Sequence, residues 1–237
     1  MIRWLQPGDP PDSFPPLEDA LDEPNGLLCV GGDLSAPRLL AAYRRGIFPW
    51  YSDGQPILWW SPDPRTVLFP GEFKVSRSLA KTVRNRGYTV SFDEDFTGVV
   101  RRCGDATLRP EGTWISTDML EAYERLHKLG YAHSVETRCD GEIVGGLYGV
   151  ALGKVFFGES MFSTGRDASK VALHGLVRKL LGLGVELIDC QVASGHLESL
   201  GARSIPRSEF LAHLERGITS LQPPPGWPAT AGGTVGK

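Results

Sequence analysis

Apolar residues recur along the chain with two different periods, and the changes of period predict the order of strands and helices. The stretch AHSVETRCDGEIVGGLYGVALGKVFFGESMFS (132–163) is patterned like three consecutive strands, which predicts an antiparallel meander. Asp140–Gly141 predicts the first turn of this meander, and Leu152–Gly153 predicts the second. A helical stripe then runs from about Asp167 to Gly182, and VELIDCQV (185–192) has the composition of a buried strand.

Shorter patterns precede the meander. GLLCVGGDLSAPRLLAAYRRG (26–46) predicts a strand, a glycine turn and a helix that ends at Gly46. Residues 1–25 are rich in Pro and Asp, which predicts mostly loop. Three further helices are predicted at 76–87, 94–103 and 116–130, with a strand at 88–93.

A proline cluster at residues 62–66 follows an aromatic-rich segment and predicts a boundary between two unequal domains. We expect a small mixed N-terminal domain at 1–64, a larger domain at 65–221 and a disordered Pro/Gly-rich tail at 222–237. The order of elements in the larger domain predicts an α/β (α+β) fold built around a mainly antiparallel sheet.

Composition excludes several functional classes. The chain has 237 residues with a formal net charge of −3, so a polyanionic partner has to meet a local basic patch. The four cysteines are scattered without a C-x-x-C pair, which is typical of a reducing cytosol and predicts no metal site. No apolar run reaches membrane-spanning length, so we expect a cytoplasmic protein without a membrane partner.

The strand VELIDCQV carries a carboxylate and a carboxamide two positions apart. Strict strand alternation places Asp189 and Gln191 on one face and Cys190 on the other. Burying a polar pair costs a few kcal/mol unless each group is hydrogen-bonded. The pair is therefore either a satisfied polar contact at a strand end or a functional site, and the residues alone leave both open.

Several longer blocks identify a known family. GIFPW, ILWWSPDPR, EGTWI and FFGESMFS, in this order, resemble the bacterial leucyl/phenylalanyl-tRNA–protein transferases, and the resemblance extends from Glu23 to about Phe210. It implies a larger domain like the GCN5-related N-acetyltransferases. It also implies transfer of Leu or Phe from aminoacyl-tRNA to proteins that begin with Arg or Lys, which marks them for degradation through the N-degron route.

The implied reaction is attack of an α-amine on an ester, which needs neither ATP nor a cofactor and chiefly requires orientation of two substrates. By resemblance the catalytic residues are Asp189 and Gln191, and which of them moves the proton stays open. Glu159 and Ser160 would hold the aminoacyl adenosine. Trp50 and Trp114 would sandwich its adenine, although core packing is an alternative for both. We expect a monomer.

The resemblance also implies an apolar pocket for the transferred side chain, lined by Leu147, Phe156, Met161, Leu173 and Leu176. Better-known members of that family have Met at the first position and Phe at the last. This chain has Leu at both, so the order of preference among Leu, Phe and Met stays open. Exposed cations that would contact tRNA phosphates are Lys74, Arg77, Lys81 and Arg84, unless this stripe is simply a solvated helix face.

Three other functions are compatible with parts of the pattern. An acyl-CoA-dependent N-acetyltransferase would need a glycine-rich pyrophosphate loop, and FSTGRDASK (162–170) has a single Gly. A non-catalytic RNA- or degron-binding module would need no reactive pair. A thiol hydrolase built on Cys190 and His196 is disfavoured because Cys190 is expected on the opposite strand face from Asp189 and Gln191.

Overall fold

The computed structural model describes residues 2–108, 115–222 and 226–227. The N-terminal part contains β1 (Arg3–Leu5), β2 (Leu27–Gly31), α1 (Ala36–Arg44), β3 (Phe48–Pro49) and β4 (Leu58–Trp60). It is followed by β5 (Arg65–Leu68), α2 (Arg77–Asn85), β6 (Thr89–Phe92), α3 (Phe96–Cys103) and α4 (Thr117–Lys128). The remainder contains β7 (Ala132–Cys139), β8 (Glu142–Leu152), β9 (Val155–Ser163), α5 (Ala168–Gly182), β10 (Leu187–Gln191), α6 (Gly195–Ser199), β11 (Arg203–Ile205) and α7 (Arg207–Gly217).

A four-stranded sheet in the order β1-β2-β4-β3 forms the N-terminal part. Strand β1 is parallel to β2, while β2, β4 and β3 pair antiparallel. The indole N–H of Trp59 donates to the carbonyl of Gly31 at 2.9 Å and ties β4 to the end of β2. Strand β1 lies in the segment that we interpreted mostly as loop, because three residues are too few to show a period.

A seven-stranded sheet in the order β11-β5-β10-β9-β8-β7-β6 forms the larger part. Every neighbouring pair is antiparallel except β9 and β10, so the predicted α/β class with a mainly antiparallel sheet is confirmed. The β7-β8-β9 meander is also confirmed, with its first turn at Asp140–Gly141. Its second turn lies one residue later than predicted, because Gly153 adopts the left-handed conformation at φ +53°.

Strands β9 and β10 separate partway along their length, and this separation creates the site. Their pairing runs from Leu187 opposite Val155 to Asp189 opposite Phe157 and then stops. A bulge in each strand lies just beyond that point, with Glu159 as the extra residue in β9 and Cys190 as the extra residue in β10. Bulges bend a strand and redirect its side chains, and here both lie beside the opening.

The large sheet buries apolar side chains on both faces. One cluster joins α3, α4 and the N-terminal sheet to the large sheet, and it includes Trp59, Tyr123 and Phe157. The other lies under α2 and α5 and includes Leu176 and Trp227. Within the described residues, no helix has the length and apolar character needed to cross a membrane.

Two of the predicted domain boundaries fall within the described residues. The chain passes from one sheet to the other between Trp60 and Arg65, and the division at 64/65 stays a prediction because one core cluster spans both sheets. Trp227 lies in the segment that we predicted to be a disordered tail, yet its side chain is only 9% exposed. Most of that segment, 223–225 and 228–237, lies outside the described residues.

Candidate active site

A cavity of about 380 Å³ opens where β9 and β10 diverge. This is within the usual range for small-molecule sites, roughly 300–1,000 Å³. Its walls come from β8, β9, β10 and α5, and the segment after β10 closes one side. Most of its walls are apolar, and its polar side chains include Glu159, Ser160, Gln191, Ser194 and His196.

The five residues predicted to form the side-chain pocket all line this cavity, namely Leu147, Phe156, Met161, Leu173 and Leu176. They come from three separate elements, β8, β9 and α5. Leu147 and Met161 are cross-strand partners, which explains why two side chains 14 positions apart share one wall. That this wall holds the transferred amino acid stays a prediction.

Glu159 is the buried acid of the site, only 9% exposed. Tyr43 donates to its Oε1 at 2.8 Å and Tyr123 donates to its Oε2 at 2.7 Å, while the two tyrosine oxygens lie 2.5 Å apart. Three short oxygen–oxygen contacts need three protons, and the two tyrosines supply two. A protonated Glu159 supplies the third: its carboxyl then donates to one tyrosine, that tyrosine donates to the other, and the second tyrosine donates back to Glu159.

The electrostatics of Glu159 agree with this geometry. Burial and the charge of Asp189, opposed by the two tyrosine hydrogen bonds and by Arg65, together raise the pKa of the Glu159 carboxyl from 4.5 to about 7. Burial and the nearby Glu159 raise the pKa of the Tyr43 and Tyr123 hydroxyls well above 10, so both remain neutral donors. Glu159 therefore changes protonation state near neutral pH, where a general acid or base is most effective.

Gln191 lies at the polar end of the cavity. Its Nε2 lies 3.4 Å from Oε1 of Glu159, which joins the two side chains across the opening. Gln191 has a left-handed backbone at φ +65°, and its N–H donates to Oδ1 of Asp189 at 2.9 Å. The bulge at Cys190 therefore turns Gln191 out of the regular strand pattern and into the cavity.

Asp189 does not project into the cavity, so the prediction that it shares an open face with Gln191 is wrong. Its side chain is 0% exposed. Arg65 donates Nε to Oδ1 at 2.8 Å and Nη2 to Oδ2 at 2.6 Å, which makes a bidentate pair. The bulge breaks the strict alternation on which the prediction depended. In this structure Asp189 therefore holds Arg65 and the backbone of Gln191, and its carboxylate is not open to an incoming amine.

Arg65 and the two tyrosines are site residues that the sequence analysis missed. Arg65 is fully buried, donates Nη1 to the carbonyl of Gly46 at 3.0 Å, and lies between the rings of Phe48 and Phe210. Its only sequence signal is its position at the end of ILWWSPDPR, immediately before an apolar strand. Tyr43 and Tyr123 fall on the apolar faces of their helices, where a tyrosine is most simply interpreted as core.

Trp50 lies at the mouth of the cavity and is 45% exposed. Its ring lies 5.7 Å from that of Trp60, and the Trp60 indole N–H donates to its carbonyl. An exposed aromatic face at a cavity mouth is compatible with stacking on a base, which stays a prediction. Ser160 lines the cavity beside Glu159, and Trp114 lies outside the described residues.

The predicted phosphate-contacting cations all lie on or just before α2 and are exposed, as expected for Lys74, Arg77, Lys81 and Arg84. None of them lines the cavity. Helix α2 packs beside α5, which supplies one cavity wall, so the cations lie on the same side of the sheet as that wall. Their contact with tRNA stays a prediction.

Cys190 and His196 both line the cavity, so the expectation that Cys190 faces away from it is wrong. The bulge again explains the difference. Burial and the neighbouring Asp189 strongly raise the pKa of the Cys190 thiol, which leaves it protonated and unreactive. Burial and Lys170 lower the pKa of His196. A thiolate–imidazolium pair is therefore not favoured, and the thiol hydrolase hypothesis is not supported.

Comparison with known proteins identifies the family of this chain. A family model described as leucyl/phenylalanyl-tRNA protein transferase matches residues 67–215, and a model of that family's N-terminal domain matches residues 32–63. The chain is 56% identical over 227 residues to the leucyl/phenylalanyl-tRNA–protein transferase of Chromobacterium violaceum, covering 96% of each. It is 58% identical over 216 residues to that of Pseudomonas entomophila, covering 91% of this chain and 95% of the relative.

Solved structures are much less similar. A GCN5-related N-acetyltransferase from Kribbella flavida aligns with a TM-score of 0.36 and 13% identity, covering 69% of this chain and 58% of that one. Both the family models and the high-identity relatives cover the elements that build the cavity. The chain therefore belongs to the leucyl/phenylalanyl-tRNA–protein transferase family of aminoacyltransferases.

Proposed function

We propose that this chain transfers Leu or Phe from aminoacyl-tRNA to the α-amine of proteins that begin with Arg or Lys. The carrying observation is a cavity with mostly apolar walls and with the Glu159–Gln191 pair among its polar lining. The apolar part suits an uncharged side chain. The polar end suits the ester and the amine that react beside it.

The chemistry balances without a further reactant. The amine nitrogen attacks the ester carbonyl, a C–N bond forms, and the C–O bond to the terminal ribose breaks. The proton lost by nitrogen ends on the departing ribose oxygen, which becomes a hydroxyl group. Glu159, with a pKa of about 7, exchanges protons at neutral pH, and the Gln191 carboxamide can donate to a carbonyl while it accepts from an amine.

The aminoacyl-tRNA is proposed to make two contacts outside the reacting centre. Trp50 at the cavity mouth would stack on the terminal adenine, and the cations on α2 would contact the acceptor-end phosphates. Aminoacyl-tRNA is supplied in the cytoplasm, which places the reaction there. A new N-terminal Leu or Phe would then mark the product for degradation through the N-degron route.

The acetyltransferase alternative is not favoured by the start of α5. Asp167, in a left-handed conformation at φ +58°, is the residue immediately before this helix. Its carboxylate accepts hydrogen bonds from Thr82 and Lys170. A carboxylate beside a helix N-terminus repels a pyrophosphate.

The test is transfer of labelled Leu from Leu-tRNA to a peptide that begins with Arg, with Val-tRNA and acetyl-CoA as competing donors. We expect transfer from Leu-tRNA and Phe-tRNA only. The Gln191→Ala variant separates an enzyme from a binding module, because it should lose turnover by at least about tenfold while it retains tRNA affinity. Transfer from acetyl-CoA or Val-tRNA, with none from Leu-tRNA, would contradict the proposal.

A further inference from the structure

Trp227 lies beyond the matched family model and packs behind the cavity. Its ring stacks on His133, with centroids 4.1 Å apart and planes 13° apart. It also lies 6.0 Å from the ring of Phe156 at an interplanar angle of 24°. Phe92 contacts its edge. The indole therefore fills the space between the large sheet and α5.

Phe156 links Trp227 to the cavity. Its ring lines the cavity and is fully buried. The same ring lies against the backbone of Gly149 on the adjacent strand, where a side chain would come within 2.5 Å of it. The Phe156 ring is thus held by Gly149 in the sheet and by Trp227 behind it, and it also lines the cavity.

The position of Trp227 is fixed by His133 and Lys179. His133 has both ring nitrogens in hydrogen bonds, Nδ1 with Asp93 at 2.8 Å and Nε2 with the carbonyl of Gly130 at 3.2 Å. The Lys179 ammonium lies 4.9 Å from the centre of the Trp227 ring, within cation–π distance. A rigid histidine and a cation together define one position for the indole.

We infer that Trp227 is a specificity-determining residue that sets the depth of the side-chain pocket by supporting Phe156. This inference rests on the proposed function. Interiors are close-packed, so removal of a large ring leaves a void into which neighbouring side chains partly relax. Loss of Trp227 lets Phe156 move back and deepens the pocket. Leu then fills the pocket less well, and a longer aromatic side chain fits better.

The test measures kcat and KM for one tRNA carrying Leu, Phe or 4-methylphenylalanine, with a fixed Arg-initiated peptide. In Trp227→Ala we expect the ratio of kcat/KM for 4-methylphenylalanine over Leu to rise by about tenfold, since one carbon in an apolar pocket discriminates about 10–200-fold. Trp227→Phe should restore most of the wild-type ratio. The indole N–H has no acceptor among the described residues, so the role of this ring is packing.

Two controls isolate Trp227 from general effects. Trp4→Ala removes an exposed tryptophan on β1 and should leave the ratio unchanged. Removal of residues 228–237 should also leave it unchanged, whereas removal of 226–237 should reproduce Trp227→Ala. If Trp227→Ala lowers kcat/KM equally for Leu, Phe and 4-methylphenylalanine, or changes none of the three, the inference is overturned. If the wild-type chain transfers neither Leu nor Phe, the proposed function fails instead, and the two outcomes are distinct.

Discussion

Glu159 is the side chain whose behaviour is set most fully by its immediate neighbours. The two tyrosines that bond it come from α1 and α4, on either side of the junction between the two sheets. Removal from water favours its neutral form, and in that form each of the three contacts among Glu159 and the two tyrosines is a hydrogen bond. The carboxyl is thus tuned to a pKa of about 7 by burial in a polar cluster.

This pKa predicts a dependence of stability on pH. The unfolded carboxyl titrates near 4.5 and the folded one near 7, so the unfolded state loses its proton first as the pH rises. The stabilising contribution of the Glu159 proton is complete below pH 4.5 and is lost once the pH reaches about 7. The loss amounts to about 3 kcal/mol of unfolding free energy, at 1.36 kcal/mol per pKa unit. Glu159→Gln removes this titration. Between pH 4 and pH 8, urea unfolding should show the free energy of unfolding of the variant rising by about that amount relative to wild type. If the two proteins change equally between these pH values, the prediction is wrong.

Asp189 illustrates a different kind of buried charge. Its pair with Arg65 excludes water completely, and removal of one partner leaves the other charge buried without compensation. We expect Asp189→Asn to lower the free energy of unfolding by about 3–5 kcal/mol in urea denaturation. Glu186→Gln is a matched control, because it breaks the exposed pair with Lys154 and should cost less than about 1 kcal/mol. Equal, small costs for both variants would show that the buried pair is unimportant for stability.

The strands that surround the cavity depend on irregularities as much as on pairing. The bulges in β9 and β10 rotate Glu159 and Gln191 toward one opening, and the parallel pairing stops before either bulge. Strand β8 shapes the cavity wall through a glycine, which has no side chain. Gly149 leaves room for the Phe156 ring, so one glycine in a strand determines where a cavity wall lies on the next strand.

Gly149→Ala tests this role of β8. The added methyl would overlap the carbonyl oxygen of Phe157 and come within 2.5 Å of the Phe156 ring. We expect a loss of about 1–3 kcal/mol in thermal or urea unfolding, together with a rise in KM for Leu-tRNA. Gly182→Ala is the matched control, because its methyl meets open space at the end of α5 and should be neutral or stabilising by up to about 1 kcal/mol. A neutral Gly149→Ala would show that the wall is not fixed there.

Charge is distributed unevenly over the whole molecule. The net charge is −3, yet four exposed cations gather on and before α2, on the same side of the sheet as the α5 wall of the cavity. Helices α3 and α4 lie on the other side. A protein of slightly acidic composition can therefore still offer a polyanion one favourable approach.

This distribution predicts how tRNA binding responds to salt. Each phosphate neutralised by a cation contributes roughly −0.7 to −0.9 to the slope of log K against log salt concentration. Replacing Arg77, Lys81 and Arg84 with Ala should weaken binding for every tRNA tested and reduce the magnitude of that slope by roughly 2 to 3. The matched triple Arg125, Lys128 and Arg216, on α4 and α7, should leave the slope unchanged. Equal effects of both triples would indicate non-specific attraction.

Local pattern alone was enough for helices α1 to α5, for the meander and for its first turn, whereas the five residues that line the apolar wall were predicted by the family resemblance. Hydrophobic period and turn chemistry act over a few residues, so they can be read from adjacent positions. Tertiary contacts decided the rest. Arg65 lies 124 positions from its partner Asp189, and the residues around either one do not predict the contact between them. The bulges add single residues that reverse strand alternation, which is why Asp189 is sealed while Cys190 and Gln191 reach the cavity. Trp227 follows a Pro/Gly-rich run that predicts disorder, and it is buried only because the large sheet and α5 leave a space that its ring fills.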